Sequence, residues 1–322
     1  MSNKIVTNRH DFLLLFEVTN GNPNGDPDAG NLPRLDPNTN RGIVSDVCLK
    51  RKVRNFVELF PPARTHNTEN GFNILIKQGA VIETEEKRGI AAAEDKGSVT
   101  GVTHAERAKN WLCREFFDVR TFGGVLSTGD DVMKGSAFGQ VRGPVQFTFG
   151  QSFHPITPLE VTITRCAVTK EEDAKKERTM GNKHIVPYAL YAAKGYVSPA
   201  FAERTGFTDA DLELLFQALL QMFEHDRSAA RGEMIVRGLF DFEHVGTQHP
   251  NNAEQNRHEA RLGCYHAHKL FEGVKVGLKD GKAFPESFAD YDVRCEWTSA
   301  NLPPGITLHL RHDGTSIGPR RV

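Results

Sequence analysis

The sequence has few cysteines, and none of them belongs to a recognisable pair. The five cysteines are widely spaced, form no CxxC motif, and are Cys48, Cys113, Cys166, Cys264 and Cys295. An odd, scattered set of this kind favours neither a disulfide framework nor a zinc ribbon. We therefore expect a chain that works in a reducing cytoplasm.

A long apolar run and an excess of charge of one sign are also missing. No segment approaches the roughly 20 apolar residues that a membrane-spanning helix needs, and the run in MSNKIVTNRHDFLLLF is too short for a secretory signal. Lys and Arg number 40 against 41 Asp and Glu, which gives a formal net charge of -1. Such a chain cannot coat nucleic acid by bulk charge, so any contact must come from local groups of cations. No membrane association is expected.

A turn-rich loop followed by a basic helix dominates the N-terminal part. Four glycines and four prolines lie between residues 21 and 42, which favours a fixed irregular path. Ser45 and Asp46 predict a helix N-terminus, where free amides suit an anion. Lys50, Arg51 and Arg54 are predicted to lie opposite the apolar stripe of that helix. This face could be an ordinary solvated surface, but beside the loop it indicates a site for a phosphate chain.

Several motifs resemble one protein family. NGNPNGDPDAGNLPR followed by GIVSDVCLKRKVRN is similar to the signature of the backbone subunit of CRISPR Cascade surveillance complexes, in the RAMP superfamily, closest to subtype I-C. DVRTFGGV, GQVRGPVQFTFGQS and MGNKHIVPYALYAAKGYVSPA resemble the same family in the same order. The resemblance implies a non-catalytic scaffold that binds guide RNA. Its copies would polymerise along CRISPR RNA, beside other Cascade subunits, and present the RNA for pairing with target DNA.

The apolar patterns predict an α+β fold. Phe12 to Val18 has the nearly continuous apolar character of a central strand. The order strand, helix, strands, helix, strand predicts a ferredoxin-like or RRM-like βαββαβ core with large loop insertions. In the terms of the resembled family, residues 1–248 form a palm, with fingers at about 63–103 and a thumb hairpin at about 168–184. Residues 249–322 are predicted to be an extension packed on the core. The RNP1 pattern is missing, so bases are not expected to stack on the sheet.

Shorter signals locate further elements. Thr103 with Glu106 predicts a capping box for a helix that runs through Phe117, and Thr208 caps a later helix. The alternation from Val141 to Phe149 predicts one strand, and Val161 to Val168 a second. Phe72 to Ile76, Ile185 to Tyr196 and Met234 to His244 are also predicted strands, the last of them closing the core.

The resemblance and the loop chemistry together predict an RNA groove. Met180 is the candidate wedge between bases, although it could instead lie under its own hairpin. Arg120, beside a diglycine, could equally be a solvated arginine in a helix-ending turn. The full set of predicted RNA-binding residues is Asn20, Asn22, Asn24, Arg34, Ser45, Lys50, Arg51, Arg54, Arg120, Gly123, Gly124, Gln140, Arg142, Met180, Asn182 and Lys183.

A metal-dependent nuclease is the alternative function. Asp26, Asp28 and Asp36 could supply oxygen ligands for a divalent cation. Their DP and DxD contexts are also typical of Asx turns, and no histidine or lysine lies close by in sequence to act as a base. We therefore expect no enzymatic activity.

Four residues near the C-terminus look like a second possible metal site: His258, Cys264, His266 and His268. Their spacing matches none of the usual zinc frameworks, and no paired cysteines accompany them. Zinc is the minor alternative there, and we expect neither a metal nor a cofactor.

Overall fold

The computed structural model describes residues 4–59, 71–95, 102–126, 139–167, 170–171 and 180–312, which form a mixed α+β fold. The strands are β1 (His10–Gly21), β2 (Gly25–Asp26), β3 (Leu32–Pro33), β4 (Arg41–Val44), β5 (Gly123–Val125), β6 (Gln140–Arg142), β7 (Val145–Phe147), β8 (Gly150–Pro155), β9 (Leu159–Thr164), β10 (Met180–Val197), β11 (Glu233–His244), β12 (Val274–Leu278), β13 (Tyr291–Cys295) and β14 (Ile306–His312). The α-helices are α1 (Asp46–Leu59), α2 (Ile82–Asp95), α3 (His104–Glu115), α4 (Phe117–Phe122), α5 (Pro199–Thr205), α6 (Asp209–Gln221), α7 (Ala253–Leu262) and α8 (Ala267–Glu272). Short 3-10 helices cover Pro27–Ala29 and Phe288–Asp290.

The main sheet is antiparallel and is organised around β1. Its strand order is β14-β11-β1-β10-β8-β4, and β7 and β9 also pair with β10. Strand β1 pairs with β10 on one side and with β11 on the other. Both of its faces are buried, because alternate side chains point to opposite sides of the sheet. The predicted central strand and the α+β class are confirmed.

Helices α1 and α6 cover one face of this sheet. Leu49, Val53 and Val57 of α1 share a buried cluster with Phe16 of β1 and with α6. Helix α6 begins with the predicted cap: the Thr208 side chain and Asp211 form a reciprocal capping box. Both predicted helices are therefore confirmed, although Phe60 at the end of the α1 stripe lies outside the described residues.

The C-terminal part covers the opposite face. Leu270, Phe271 and Val274 pack on Leu13 and Leu15 of β1. Strand β14 pairs with β11 and extends the main sheet by one strand. The predicted strand Met234 to His244 is thus present as β11, but the prediction that it is the last strand is wrong. Because both faces are covered by protein, neither offers an open platform for bases.

Helices α2, α3 and α4 form a second apolar cluster. Ala108, Leu112 and Phe116 are buried there, and Thr103 caps α3. The predicted strand Phe72 to Ile76 is wrong. This segment forms an isolated β-bridge between Asn73 and Phe116 in place of a strand. The backbone amides of Leu75 and Ile76 instead donate to the Asp118 carboxylate at 2.9 and 3.0 Å.

The predicted strand Val141 to Phe149 is broken in two. Strand β6 pairs with β5, and β7 pairs with β10, with Gly143 and Pro144 between them. Proline lacks the N–H that a continuous ladder would require at this point. Val141, Val145 and Phe147 are buried on one face, as the alternation predicts, but Phe149 is 60% exposed.

Strands β9 and β10 form a two-stranded ribbon. All six residues of β9 are exposed, and β9 pairs with the Met180 to Ile185 part of β10 before β10 enters the main sheet. Pro187 lies beyond the last β9 pair and before the first β8 pair, which fits its missing N–H. Residues 172–179, within the predicted thumb, lie outside the described residues. None of the helices in the described ranges is long and apolar enough to span a bilayer.

Candidate nucleic-acid interface

The asparagines of the N-terminal loop hold its backbone in place. The side chain of Asn22 is buried and donates to the Asn31 carbonyl at 2.7 Å. Asn24 Oδ1 accepts from the Ser45 amide at 2.9 Å and from the Ser45 hydroxyl at 2.8 Å, where α1 begins. Asn20 has a φ of +47° at the end of β1, a conformation that asparagine tolerates better than most residues. These side chains position the loop and the start of α1.

The loop aspartates stabilise turns. Asp36 accepts from the Asn38 amide and the Thr39 hydroxyl, both at 2.9 Å, and these bonds lower the pKa of its carboxyl. Asp26 accepts from the Asp28 amide and pairs with Arg34 at 3.2 Å. The Asx-turn interpretation is confirmed for these residues. Among the residues that the structure describes, no three His, Cys, Asp or Glu side chains come together as a possible metal site.

The three predicted cations of α1 have different environments. Arg51 is exposed and donates to Asn55 at 2.9 Å. Lys50 is half-buried and pairs with Asp46 at 2.9 Å. Arg54 is 7% exposed and its Nε lies 2.9 Å from the fully buried Asp118 carboxylate. The prediction that all three face solvent is wrong for Arg54, because α4 covers that side of the helix.

Arg120 is also inside the protein. Segment 118–122 belongs to helix α4, and all of its residues are buried. The Arg120 guanidinium lies 2.7 Å from the Asp211 carboxylate and donates to the Gly71 carbonyl. The predicted solvated turn is therefore wrong, and Arg120 joins α4 to the start of α6. Its place beside a ligand stays a prediction.

The diglycine after α4 forms a short hairpin with the predicted residues Gln140 and Arg142. Gly123 pairs with Arg142, and Gly124 with Val141. Gly123 has a φ of +77°, and a Cβ there would lie 2.1 Å from the Val141 carbonyl oxygen, so only glycine fits. Lys50 Nζ lies 5.9 Å from the centre of the Phe122 ring, which brings α1 next to this hairpin.

The ribbon lies next to the loop. Lys183 Nζ donates to the Ala229 carbonyl at 2.9 Å, and the Asn22 amide donates to the neighbouring Ala230 carbonyl at 2.6 Å. Asn182 donates to Glu160 across the ribbon. Met180 is 70% exposed, so the alternative that it lies under its own hairpin is wrong.

These contacts bring most predicted site residues, some exposed and some buried, into one run of neighbouring groups, which we call the strip. It runs from the ribbon through the loop and α1 to the β5–β6 hairpin and consists of Lys183, Asn22, Asn24, Ser45, Lys50, Phe122, Gly123, Gly124, Gln140 and Arg142. Arg51 borders it, and Arg54 is buried next to Phe122. Sequence reasoning missed Phe122, although an aromatic residue directly before a diglycine could have drawn attention.

The chain was compared with known proteins. Residues 8–296 match the family described as CRISPR-associated protein Cas7. The chain belongs to the Cas7 family. A Cas7 protein of Haloferax volcanii is 29% identical over 226 residues, which cover 65% of this chain and 62% of that relative, less than two thirds of its length. The family predicted from the sequence motifs is confirmed, and the I-C subtype stays a prediction.

Remote likenesses to solved structures were also found. A CRISPR RNA-guided surveillance complex in a pre-nicking state has a chain with TM-score 0.45 and 19% identity, covering 73% of this Cas7 chain and 75% of that one. A second such complex gives TM-score 0.41 at 14% identity over 82% and 80% of the two chains. A Type III-B Cmr-beta complex bound to cognate target RNA gives 0.40 at 10% over 72% and 60%.

Proposed function

We propose that this Cas7 chain is a non-catalytic, guide-RNA-binding scaffold of a type I-C Cascade complex. Copies polymerise along CRISPR RNA in the cytoplasm and, with other Cascade subunits, present it for pairing with target DNA. The observation that carries the proposal is the strip, in which contacts bring predicted RNA-binding residues that are far apart in sequence next to one another. The nuclease alternative is not favoured, because the loop aspartates are engaged in turns.

The protein groups that we propose to bind RNA are of different chemical types. Arg51, Arg142 and Lys183 retain solvent-accessible cations, and within the described residues none of them is ion-paired with a carboxylate. The small diglycine lets a phosphate approach the backbone closely. Arg54 and Arg120 support the fold, because freeing either guanidinium would leave a buried carboxylate unpaired. Such contacts read the phosphate and sugar, which a scaffold for variable guides requires.

The strand order supports a βαββαβ core of the RRM-like type. Elements β1, α1, β8, β10, α6 and β11 follow one another along the chain, and four of them form the sheet order β11-β1-β10-β8. In this plan, residues 1–248 are the palm, with fingers at about 63–103 that include α2 and a thumb that includes the ribbon. Residues 249–322 are the extension.

The ribbon has two chemically different faces. Residues directly opposite in an antiparallel pair share a face, so Leu159, Val161 and Ile163 lie on one side. Met180 lies with Thr162, Thr164 and Asn182 on the other. Lys183 lies opposite Val161 and therefore shares the apolar face. We assign the Met180 face to the RNA bases, where methionine can wedge between them. We assign the apolar face to the next copy in the filament, with Lys183 at a phosphate between the two copies.

The test uses purified full-length chain and two RNAs of equal length, one with a spacer sequence and one scrambled. We expect equal affinity for both, and filaments along each RNA in electron micrographs. Labelled RNA and DNA incubated with manganese should stay intact with or without chelator. Strong preference for one sequence, or cutting that chelator and Asp36→Ala both abolish, would refute the scaffold.

A further inference from the structure

A second concave surface meets the strip at strand β6. Its walls come from α3, β6 and α5, and Lys109, Arg142, Phe201 and Arg204 line a volume of about 550 Å³. An adjoining volume of about 480 Å³ shares Arg204 and Asn110 and reaches Arg114. We call the two together the α3–α5 groove. Arg142 belongs both to this groove and to the strip.

The groove carries accessible positive charge. Arg142, Arg204 and Arg114 are exposed, and within the described ranges no carboxylate lies within ion-pair distance of any of the three. Of the acidic residues in the wall, Glu203 has both oxygens engaged by Arg261, while Glu106 is half-buried. Asp211, the third acid in the lining, is paired with Arg120 at 2.7 Å. Two of the three lining acids are thus already paired, so Arg114, Arg142 and Arg204 leave the groove with an excess of positive charge.

The cations are also held in place. The Arg142 and Arg204 guanidinium carbons lie 4.5 and 5.7 Å from the centre of the Phe201 ring, within the range of cation–π attraction. Lys109 Nζ donates to the Arg204 carbonyl at 3.2 Å. A guanidinium that rests on a ring keeps its outer N–H groups free for an anion, and its planar shape suits phosphate oxygens.

We propose that the α3–α5 groove binds the phosphodiester backbone of a single nucleic-acid strand that leaves the strip at Arg142. The proposal rests on the function proposed for the strip, and it extends the binding path beyond the residues that sequence motifs predict. Two sources share this chemistry. The strand is either the continuation of the RNA held by the strip or a second strand paired to that RNA.

The test replaces Arg114 and Arg204 with glutamine in one variant of the full chain. Both side chains are exposed, so folding should be unaffected. The matched control is Lys275→Gln with Arg294→Gln, an exposed cross-strand pair of the β12–β13 ribbon that carries the same charge. Fluorescence anisotropy over a range of KCl concentrations gives the salt dependence of affinity. One arm uses RNAs of increasing length, and the other uses RNA with its complementary DNA strand.

In the double variant, the slope of log K against log salt should weaken by about 1.4, or about 0.7 for each lost phosphate contact, while the control keeps the wild-type slope. If the slope weakens with longer RNA alone, the groove binds the continuation of the RNA held by the strip. If the slope weakens only when the complementary DNA is present, the groove binds that second strand. Arg204→Lys with wild-type Arg114 should keep the slope. If the double variant kept the wild-type slope in both arms, the proposal for the groove would be refuted, while the proposal for the strip would be unaffected. A wild-type chain that binds no strand at all would remove both.

Discussion

Replacing Arg54 tests whether this cation supports the fold or binds RNA. The Asp118 carboxylate has no exposure and accepts from Arg54 Nε at 2.9 Å as well as from two backbone amides. Arg54→Ala leaves that buried charge without its cation, which costs about 3–5 kcal/mol. The free energy of unfolding, measured by urea denaturation followed by far-UV circular dichroism, should fall by this amount.

Arg51→Ala is the matched control on the same helix. Its side chain is exposed, and its hydrogen-bond partner is Asn55. We expect a change in unfolding free energy within about 0.5 kcal/mol and a salt slope of RNA binding reduced by about 0.7. If Arg54→Ala instead changed stability by less than about 1 kcal/mol and lowered the RNA slope as Arg51→Ala does, the structural role of Arg54 would be refuted.

Three further predictions follow from single sites. Gly123→Ala should separate β5 from β6, because the added Cβ meets the Val141 carbonyl at 2.1 Å, and anisotropy should then show weaker RNA binding. Burial alone would lower the pKa of His10, but Asp241 outweighs it and raises that pKa above 6.5. The resulting stability is complete below pH 6.5 and is lost as pH rises through the folded value, so denaturation at stepped pH should show this loss for wild type and not for His10→Gln. Met180→Ala should lower the fluorescence of 2-aminopurine in bound RNA, because a wedge unstacks bases.

Long periodic elements could be predicted from the sequence. Strand β1 has a nearly continuous apolar run at its centre, and α1 and α6 repeat apolar residues at helical spacing over three to four turns. Their caps at Ser45 and Thr208 are also predictable, because a serine or threonine oxygen at a helix start accepts from a nearby backbone amide. The loop could also be predicted, since its turns depend on asparagine, aspartate, glycine and proline within a few residues of each other.

The environments of Arg54 and Arg120 could not be predicted from helical spacing. A wheel assigns polar residues to solvent, but the partners of these two cations lie 64 and 91 residues away in sequence. The signal that was available is the segment FFDVRTF, in which two charged residues stand among aromatic and branched side chains. Charges in such a run are typical of a buried pair rather than of an exposed turn.

The break after Arg142 has a cause that is visible in the sequence. Gly143 and Pro144 interrupt the alternating pattern, and proline rarely occupies the middle of a ladder. The pattern nonetheless predicted the buried face correctly for Val145 and Phe147, because the two short strands keep the same alternation. Periodicity thus identified the buried side, and backbone chemistry decided where the strand ends.

The near-neutral charge of the chain has a consequence for how it binds a strand. Much of its positive charge is held in internal pairs such as Lys52 with Asp226, so the accessible cations of the strip and its border reduce to Arg51, Arg142 and Lys183. These three contacts contribute about 2 to the salt slope of one copy, which by itself is roughly a 20-fold loss of affinity between 50 and 200 mM salt. Each copy alone is therefore a modest binder with little attraction for unrelated polyanions. In the proposed filament, contacts between copies supply the remaining free energy of binding. We therefore expect long guides to be favoured over short ones, because each added copy brings both its phosphate contacts and a contact with its neighbour.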